Sequence, residues 1–422
     1  MLKIFAKKLF FRPNDNINIL QKVIELDSLL IIGVILTTGY LGGELARKLK
    51  LPSVTGYIIT GLILGPSLLG IVSFPRLQTL QPVNDFALGL IGLSIGGELK
   101  YRFLQRNWEN FSLIFLGESL LTFFLVLISI YLISENFPLA VMLGVLSLAT
   151  APSSILGVIN ERNTRGVFPR ILMSIVALDN FFCILVFSVT TTILNIFYFQ
   201  QISAAGFWSY LGQEVLLGII LGIVLGYCTI LVIERIQEQR KSQVLLIAII
   251  FFAVGLPRQF DISFLLVTLL LGALVVNLTS HYRKFYQALH SIDTPILIIF
   301  LTLAGAKLQL DILPAVGILG IAYIIARLSG KILGARLGAA SCYLLPAACQ
   351  NISPLHRKYI GMALTPQAGV AIGLSLLAEQ KLPLQAGVIS TLILGSIIFF
   401  ELIGPVLVDR ALVKTGSVRE PE

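Results

Sequence analysis

Thirteen stretches of this 422-residue chain are apolar over most of the thickness of a bilayer. A hydrocarbon core about 30 Å thick takes about 20 residues of helix. Inside it every peptide group must find a partner within the protein, so apolar stretches of this length have to be helices. The stretches lie near 27–46, 53–72, 83–99, 112–133, 138–160, 171–194, 210–233, 242–256, 262–278, 293–307, 312–339, 358–379 and 385–408. Several are short or carry Pro and Gly. Apolar residues make up 56% of the chain and charged ones 13%, against about 25% charged in soluble proteins. Soluble multi-domain enzymes, disordered chains and disulfide scaffolds are excluded. Cys183, Cys228, Cys342 and Cys349 are scattered, with no CxxC or metal-type spacing.

The net charge of +9 has a pattern. Odd-numbered stretches are followed by basic groups: Arg47, Lys48 and Lys50; Lys100, Arg102 and Arg106; Arg162, Arg165 and Arg170; Arg235, Arg240 and Lys241; Arg283 and Lys284; Arg336, Arg357 and Lys358; Arg410, Lys414 and Arg419. Even-numbered stretches are followed by Arg76, Arg258, Lys307 and Lys381 alone. Basic loops stay on the cytoplasmic side, so this alternation predicts about 13 transmembrane helices in an all-α polytopic membrane protein, with a cytoplasmic C-terminus. Lys3, Lys7, Lys8 and Arg12 run against that orientation. Residues 1–26 are therefore read as an interfacial segment, 27–408 as the membrane domain and 409–422 as a short cytoplasmic tail. The alternative for the N-terminus is one further membrane element.

The chain also repeats itself. Leu93–Leu99 (LSIGGEL) is similar to Leu301–Leu308 (LTLAGAKL), and Thr60–Pro66 (TGLILGP) to Thr268–Leu274 (TLLLGAL), both at an offset of 208. Ala149–Ser154 (ATAPSS) and Ala363–Gly369 (ALTPQAG) each put Thr and Pro in mid-stretch at an offset of 214. This predicts two six-helix repeats, about 27–194 and 242–408, joined by a linker helix near 210–233. Seven helices is an odd separation, so the second repeat is inverted. Inverted repeats with interrupted helices at matching positions mark the site of a secondary transporter. Pro152 and Pro366 supply the interruptions, since proline lacks an amide hydrogen and clashes with the preceding turn. Thr150, Ser153, Ser154, Thr365 and Gln367 flank them and offer groups for the freed backbone; Thr150, Ser153 and Ser154 are also candidates, with Asp179 and Asn180, for binding the ion or proton. Two ordinary proline kinks in packed helices are the competing explanation.

Few charges lie inside the apolar stretches. Asp179 falls within SIVALDNFFCILVF, where a carboxylate costs about 2.5–3.5 kcal/mol on insertion scales unless it is paired or hydrated. Asn180 beside it offers an amide oxygen to a cation. Arg327 and Lys331 are four apart in ARLSGKILGARLG and share a helix face; snorkelling to the cytoplasmic surface is the alternative for both. Glu118 is a deep second candidate for carrying a proton, and Glu98 at the end of the third stretch is placed to line a cytoplasmic funnel. Glu401, near the end of the last stretch, reads as structural. His281, His290 and His356 all fall in expected loops, and there is no Gly-rich phosphate loop. The chain is expected to be no enzyme, to need no cofactor and to bind no nucleic acid. Its tail is too short for a nucleotide-binding regulatory domain.

GYIITGLILGPSLLG, LSLATAPSSILGVINERNTRG, IVALDNFFCILVF, AYIIARLSGKILGARLG and GMALTPQAGVAIGLSLLAE, in this order, resemble the monovalent cation:proton antiporter superfamily, in its sodium/proton and potassium-efflux branch. The likeness runs from about 27 to 408. It implies the sodium/proton antiporter fold, with crossed, Pro-broken helices, a homodimer, elevator-like alternating access and residence in a prokaryotic plasma (inner) membrane. The family's sixth helix carries Asp-Asp or Asn-Asp, the second residue being the ion-binding carboxylate. Here the pair reads Asp179-Asn180, so the second position is an amide. Asp179 stands where electrogenic members pair with a lysine, and Lys331 stands at that lysine.

The resemblance implies exchange of Na⁺ or K⁺ for H⁺, with both competing for Asp179. Two other readings share the architecture: a Na⁺-coupled organic-solute symporter and a transport-inactive sensor or partner protein. A symporter needs a larger polar cavity than Thr150 to Ser154 and Thr365 to Gln367 provide.

Overall fold

A computed structural model describes residues 27–49, 51–164, 166–198, 212–235, 239–341, 353–382 and 387–417. The interfacial segment expected at 1–26, together with Lys50, Arg165, Cys342, Cys349 and residues 418–422 of the tail, lies outside the described residues.

The described chain is helical and contains no strand. Its first half forms α1 (Ser28–Lys48), α2 (Ser53–Leu64), a short α3 (Phe74–Thr79), α4 (Gln81–Glu98), α5 (Tyr101–Ser134), α6 (Phe137–Leu146), α7 (Pro152–Glu161) and α8 (Val167–Phe197). A π-helical turn at Gly212–Leu217 leads into α9 (Gly218–Ile233). Then follow α10 (Gln239–Gln259), α11 (Phe264–Leu278), α12 (Tyr282–Ala306), α13 (Leu313–Ser341), α14 (Pro354–Ala363), α15 (Gly369–Lys381) and α16 (Val388–Lys414). Among the described residues, seven segments are long and apolar enough to cross a bilayer, and α2, α6, α11 and residues Gln243–Gln259 are shorter apolar helices.

Local chemistry sets the helix ends. The Asn136 side chain accepts from the Leu139 amide at 3.1 Å and starts α6, directly after Glu135 turns the chain in the left-handed conformation (φ 51°). Ser353 caps α14 in the same way at 3.2 Å. Pro138, Pro152 and Pro354 stand in the first turn of their helices, where a missing N–H costs nothing. The sequence pattern misplaced two features. The helix expected from 293 begins at Tyr282, so His290 is helical rather than in a loop, as is His356 in α14. The second apolar stretch stops being helical at Leu64, and its last residues fold back with the Val72 amide on the Leu64 carbonyl at 2.9 Å.

Packing divides the helices into two groups. α5 to α8 and α13 to α16 form one; α1, α2, α4 and α9 to α12 form the other. We call them the core and the panel. α4 and α12 face the core across the seam. Within each group, glycines let backbones touch, as small residues do where lipid provides no hydrophobic drive. On α13, Gly330, Gly334 and Gly338 recur at every fourth position. A Cβ on Gly334 would lie 2.5 Å from the Gly117 carbonyl oxygen of α5, and one on Gly330 would lie 2.5 Å from Thr122 Cα. In the panel, Gly61 and Gly305 seat α2 on α12, and Gly96 and Gly272 seat α4 on α11.

Contacts between helix ends place the basic residues on one face. Lys100 lies over the Tyr282 ring, Arg162 makes two hydrogen bonds to Asp409 at 2.6 and 2.9 Å, and Phe168 packs on His356. The Asp409 carboxylate raises the Arg162 guanidinium above its ordinary range. At the opposite face the ion pairs are Asp85 with Arg258 and Glu214 with Lys381.

The α5–α13 contact makes a stability prediction. Gly334→Leu should lower stability by about 1–3 kcal/mol through overpacking, seen as a lower melting temperature in detergent. Gly320→Ala on the same helix meets nothing within 4 Å and should keep it or raise it slightly, since alanine is the better helix former. Equal melting temperatures for both variants would contradict the close approach.

Candidate functional site

Two helices are broken at mid-depth. α6 ends at Leu146 and α7 starts at Pro152; α14 ends at Ala363 and α15 starts at Gly369. Between them run two non-helical stretches that cross, with the Ala151 amide donating to the Pro366 carbonyl at 3.0 Å. Each break exposes carbonyls and amides that a helix would have paired. Within a bilayer those groups must be met by side chains.

Arg327 of α13 meets most of the carbonyls. Its Nε donates to the Ser147 carbonyl at 2.9 Å, and its two terminal nitrogens donate to Ala149 at 2.7 Å and Thr365 at 2.6 Å. One guanidinium thus caps the end of α6 and both crossing strands. The fixed fork of an arginine suits this better than an ammonium. The Phe400 ring of α16 backs the guanidinium, 4.4 Å from its carbon. Gln367 donates to the Leu146 carbonyl at 2.9 Å and pairs with the Tyr323 hydroxyl. Asn180 clamps Thr150: its Nδ2 donates to the Thr150 carbonyl at 2.8 Å, and its Oδ1 accepts the Thr150 amide at 3.2 Å. The amide oxygen expected to face a cation is therefore engaged with backbone.

One turn along α13, Lys331 gathers the carboxylates. Its Nζ lies 2.8 Å from Asp179 Oδ2 and 2.8 Å from Glu118 Oε2. It also donates to the Leu148 carbonyl at 3.0 Å and to Thr150 Oγ1 at 3.1 Å. The Thr150 hydroxyl donates to Asp179 Oδ2 at 2.6 Å, and Ser119 donates to Glu118 Oε1 at 3.2 Å. Asp179, Glu118, Lys331 and Arg327 are all fully buried, so neither base snorkels. Glu118 reaches Lys331 because the glycines on either side of that lysine hold α5 against α13. Two carboxylates face one ammonium. Arg327 is committed to carbonyls.

Other expected residues stand apart from this cluster. Ser154 donates to Glu401 at 2.7 Å, on the far side of α7 from Lys331. Ser153 is exposed and lines a cavity of about 210 Å³, together with Pro152, Ile91, Glu98, Gly369 and Asp293. A second cavity of about 490 Å³ shares Glu98 and runs past Lys100 to Arg170. Both lie in the seam between core and panel. They connect the basic face to the edge of the crossing. Glu98 Oε2 has no hydrogen-bond partner among the described residues. The roles of Tyr323 and Phe400 were not foreseen, whereas Glu401, expected to be structural, accepts a hydrogen bond from Ser154. The small-residue period at 330, 334 and 338 was a usable signal for the α5–α13 contact; nothing local marks Phe400 or Tyr323.

This architecture has known relatives. Residues 33–414 match the family model described as sodium/hydrogen exchanger, transmembrane. The chain belongs to that family and is an integral, multi-pass membrane protein. Among solved structures it is similar to the sodium proton antiporter MjNhaP1 from Methanocaldococcus jannaschii at pH 8, with a TM-score of 0.70 and 18% identity over 93% of this chain and 99% of that one. An electron-microscopy structure of the same antiporter gives a TM-score of 0.67 at 16% identity, over 94% and 99% of the two chains. No curated protein matches the chain.

Removing Arg327 should be costly, because it strands several buried carbonyls. Arg327→Gln is expected to destabilise by about 3–5 kcal/mol, since each buried carbonyl left without a donor costs about 1–3 kcal/mol, read as loss of folded protein in mild detergent. Arg327→Lys should restore less than half, since three separated carbonyls need the fork. Full rescue by lysine would refute the capping role.

Proposed function

We propose that the chain is a secondary active transporter that exchanges a monovalent cation, Na⁺ or K⁺, for H⁺ by alternating access. The carrying observation is the buried cluster at the crossing, in which Asp179 and Glu118 share Lys331. Two carboxylates against one ammonium leave one uncompensated negative charge. A single proton or a single monovalent cation neutralises it, and the two exclude each other. Arg327 and Asn180 hold the crossing rigid, and Asp179 with Glu118 carries the exchangeable charge. Lys331 compensates the other carboxylate throughout, so the unoccupied cluster keeps one negative charge. If Lys331 also gives up its proton, the exchange becomes electrogenic.

The remainder of the reading follows from the pattern of spans. Thirteen crossings, with α6–α7 and α14–α15 each counted once, account for the helices from α1 to α16 apart from the short α3. The basic face would then be cytoplasmic, with the C-terminus on that side of a prokaryotic plasma membrane. The glycine contacts support an inverted repeat. Matching the first six spans to the last six exchanges the α2–α12 pair with the α4–α11 pair and returns α5–α13 to itself. A homodimer would form through the panel. Cation and proton would enter from the cytoplasm along the two cavities past Glu98.

Purified protein in liposomes tests the proposal through dissipation of a preset pH gradient on addition of Na⁺ or K⁺. Wild type should dissipate it. Asp179→Asn should lose at least about tenfold in rate, equivalent to 1.4 kcal/mol, and Glu118→Gln should slow it to a similar degree. A wild type with no cation-dependent proton flux would overturn antiport and favour the transport-inactive reading. Full exchange by Asp179→Asn would overturn the site instead.

A further inference from the structure

α4 forms most of the panel's seam with the core, and its residues sort into two stripes. Asp85, Gly89, Gly92 and Gly96 face the panel: Asp85 pairs with Arg258 of α10, and the three glycines lie against Val254, Thr268 and the Leu269 carbonyl. One position back along the helix, Asn84, Leu88, Ile91, Ile95 and Glu98 form the second stripe at the same spacing of four and three. This stripe faces the core. A Cβ on Gly373 of α15 would overlap Leu88 Cδ2, and one on Gly369 would lie 3.7 Å from Ile91 Cδ1. Glu98, at the basic end, lines both cavities.

The core-facing stripe is thus polar at its two ends and apolar between. Its ends differ. Glu98 lines both cavities, with its Oε2 buried and unpaired among the described residues, whereas Asn84 is 1% exposed and lines neither. Neither its amide nitrogen nor its amide oxygen has a partner among the described residues. A wholly unpaired buried amide is costly, and each instance in a folded protein calls for an explanation. Asp85 offers none, because its carboxylate is taken up by Arg258 and by Gln81 at 2.9 Å. Charged groups ring the same end: Lys307 at the end of α12 interacts electrostatically with Asp85 and with Glu379 of α15.

We propose that Asn84 is a monovalent-cation contact on the access path opposite Glu98, with Leu88 seated on Gly373 as the seal that closes that path in this conformation. When the core shifts along α4, Leu88 leaves Gly373, the Asn84 amide meets water and the passing cation, and the Glu98 end closes. The unpaired amide is then a feature of one half of the cycle. A carboxylate suits the end where cations must be gathered, and an amide suits the end where they must be released or weakly held. The proposal rests on the antiport reading and adds to it a residue outside the carboxylate cluster.

Sided kinetics test it, with Na⁺ as the probe in right-side-out and everted membrane vesicles. Asn84→Leu should fold, since it replaces an unpaired amide with an apolar group of similar size. Its apparent KM for Na⁺ should rise about fivefold when Na⁺ is supplied at the Asn84 face, the loss of one neutral contact. With Na⁺ at the Glu98 face the KM should stay as in wild type. Equal changes on both sides, or none on either, overturn the proposal. A second measurement does not depend on transport. With the four native cysteines replaced by alanine, Asn84→Cys should react with a membrane-impermeant thiol reagent from its own face only. Gly373→Val, which crowds Leu88, should speed that reaction. Absence of labelling from that face in both backgrounds overturns the access path even if exchange proceeds. Labelling without exchange supports the path and overturns the antiport reading on which the cation assignment rests.

Discussion

Unpaired peptide groups at two helix breaks are the constraint from which the rest of the core follows. Water cannot satisfy them inside a bilayer, so the protein has to bring polar side chains to them, and those side chains must themselves be buried. Arg327 does most of this. Its positive charge is held by carbonyl dipoles at Ser147, Ala149 and Thr365 and by the face of Phe400, with no carboxylate in direct contact. That leaves the second base on the same helix face, Lys331, free to compensate acids. The four-residue spacing therefore divides the work between two cations that composition alone would treat as alike.

Much of the architecture could be read from the chain. The apolar windows fall on the observed helices because hydrophobic length is a strict requirement in a bilayer, and the two breaks fall at Pro152 and Pro366 because proline is a local cause with a local effect. Asp179 and Lys331 were visible as charges in apolar surroundings. Their meeting at 2.8 Å was suggested by the family resemblance and not by spacing. What stayed hidden depends on three-dimensional neighbours. Nothing in the residues around Asn180 says that its amide turns to the backbone of Thr150, 30 positions away. Ser153 and Ser154 were both candidates for the ion site, yet one residue of helix is a 100° rotation, which points Ser154 at Glu401 and Ser153 at the cavity. His290 was read as a loop residue because a polar run at 282–293 masks the start of a long helix, and propensity yields there to packing of Phe285, Ala288 and Leu289 into the core.

The Asp179-Asn180 order has a structural reason once Asn180 is seen as a clamp. The second position of the pair faces the main chain at the break, where an amide can both donate and accept. A carboxylate there could accept the Thr150 amide but would repel the Thr150 carbonyl. An asparagine thus gains backbone rigidity and gives up a negative charge. Glu118 returns a negative charge from a different helix, delivered through the glycine contact of α5 with α13. In the proposed exchange the charge count at Lys331 is preserved although the position of one acid has changed.

That relocation has a consequence for how the cluster meets its surroundings. An acid at the second position would stand beside the crossing, close to Pro152 and Ser153 and so to the cavity that ends there. Glu118 instead stands on α5, and like Asp179 it has no place in the lining of either seam cavity. The arrangement makes Lys331 the link between two fully buried carboxylates from different helices. It also explains why the glycine stripe on α13 is as important to the site as the charged residues it flanks. If α5 moved away from α13, Glu118 would leave Lys331, and the cluster would fall from net negative to neutral, with no unbalanced charge left for a cation to bind.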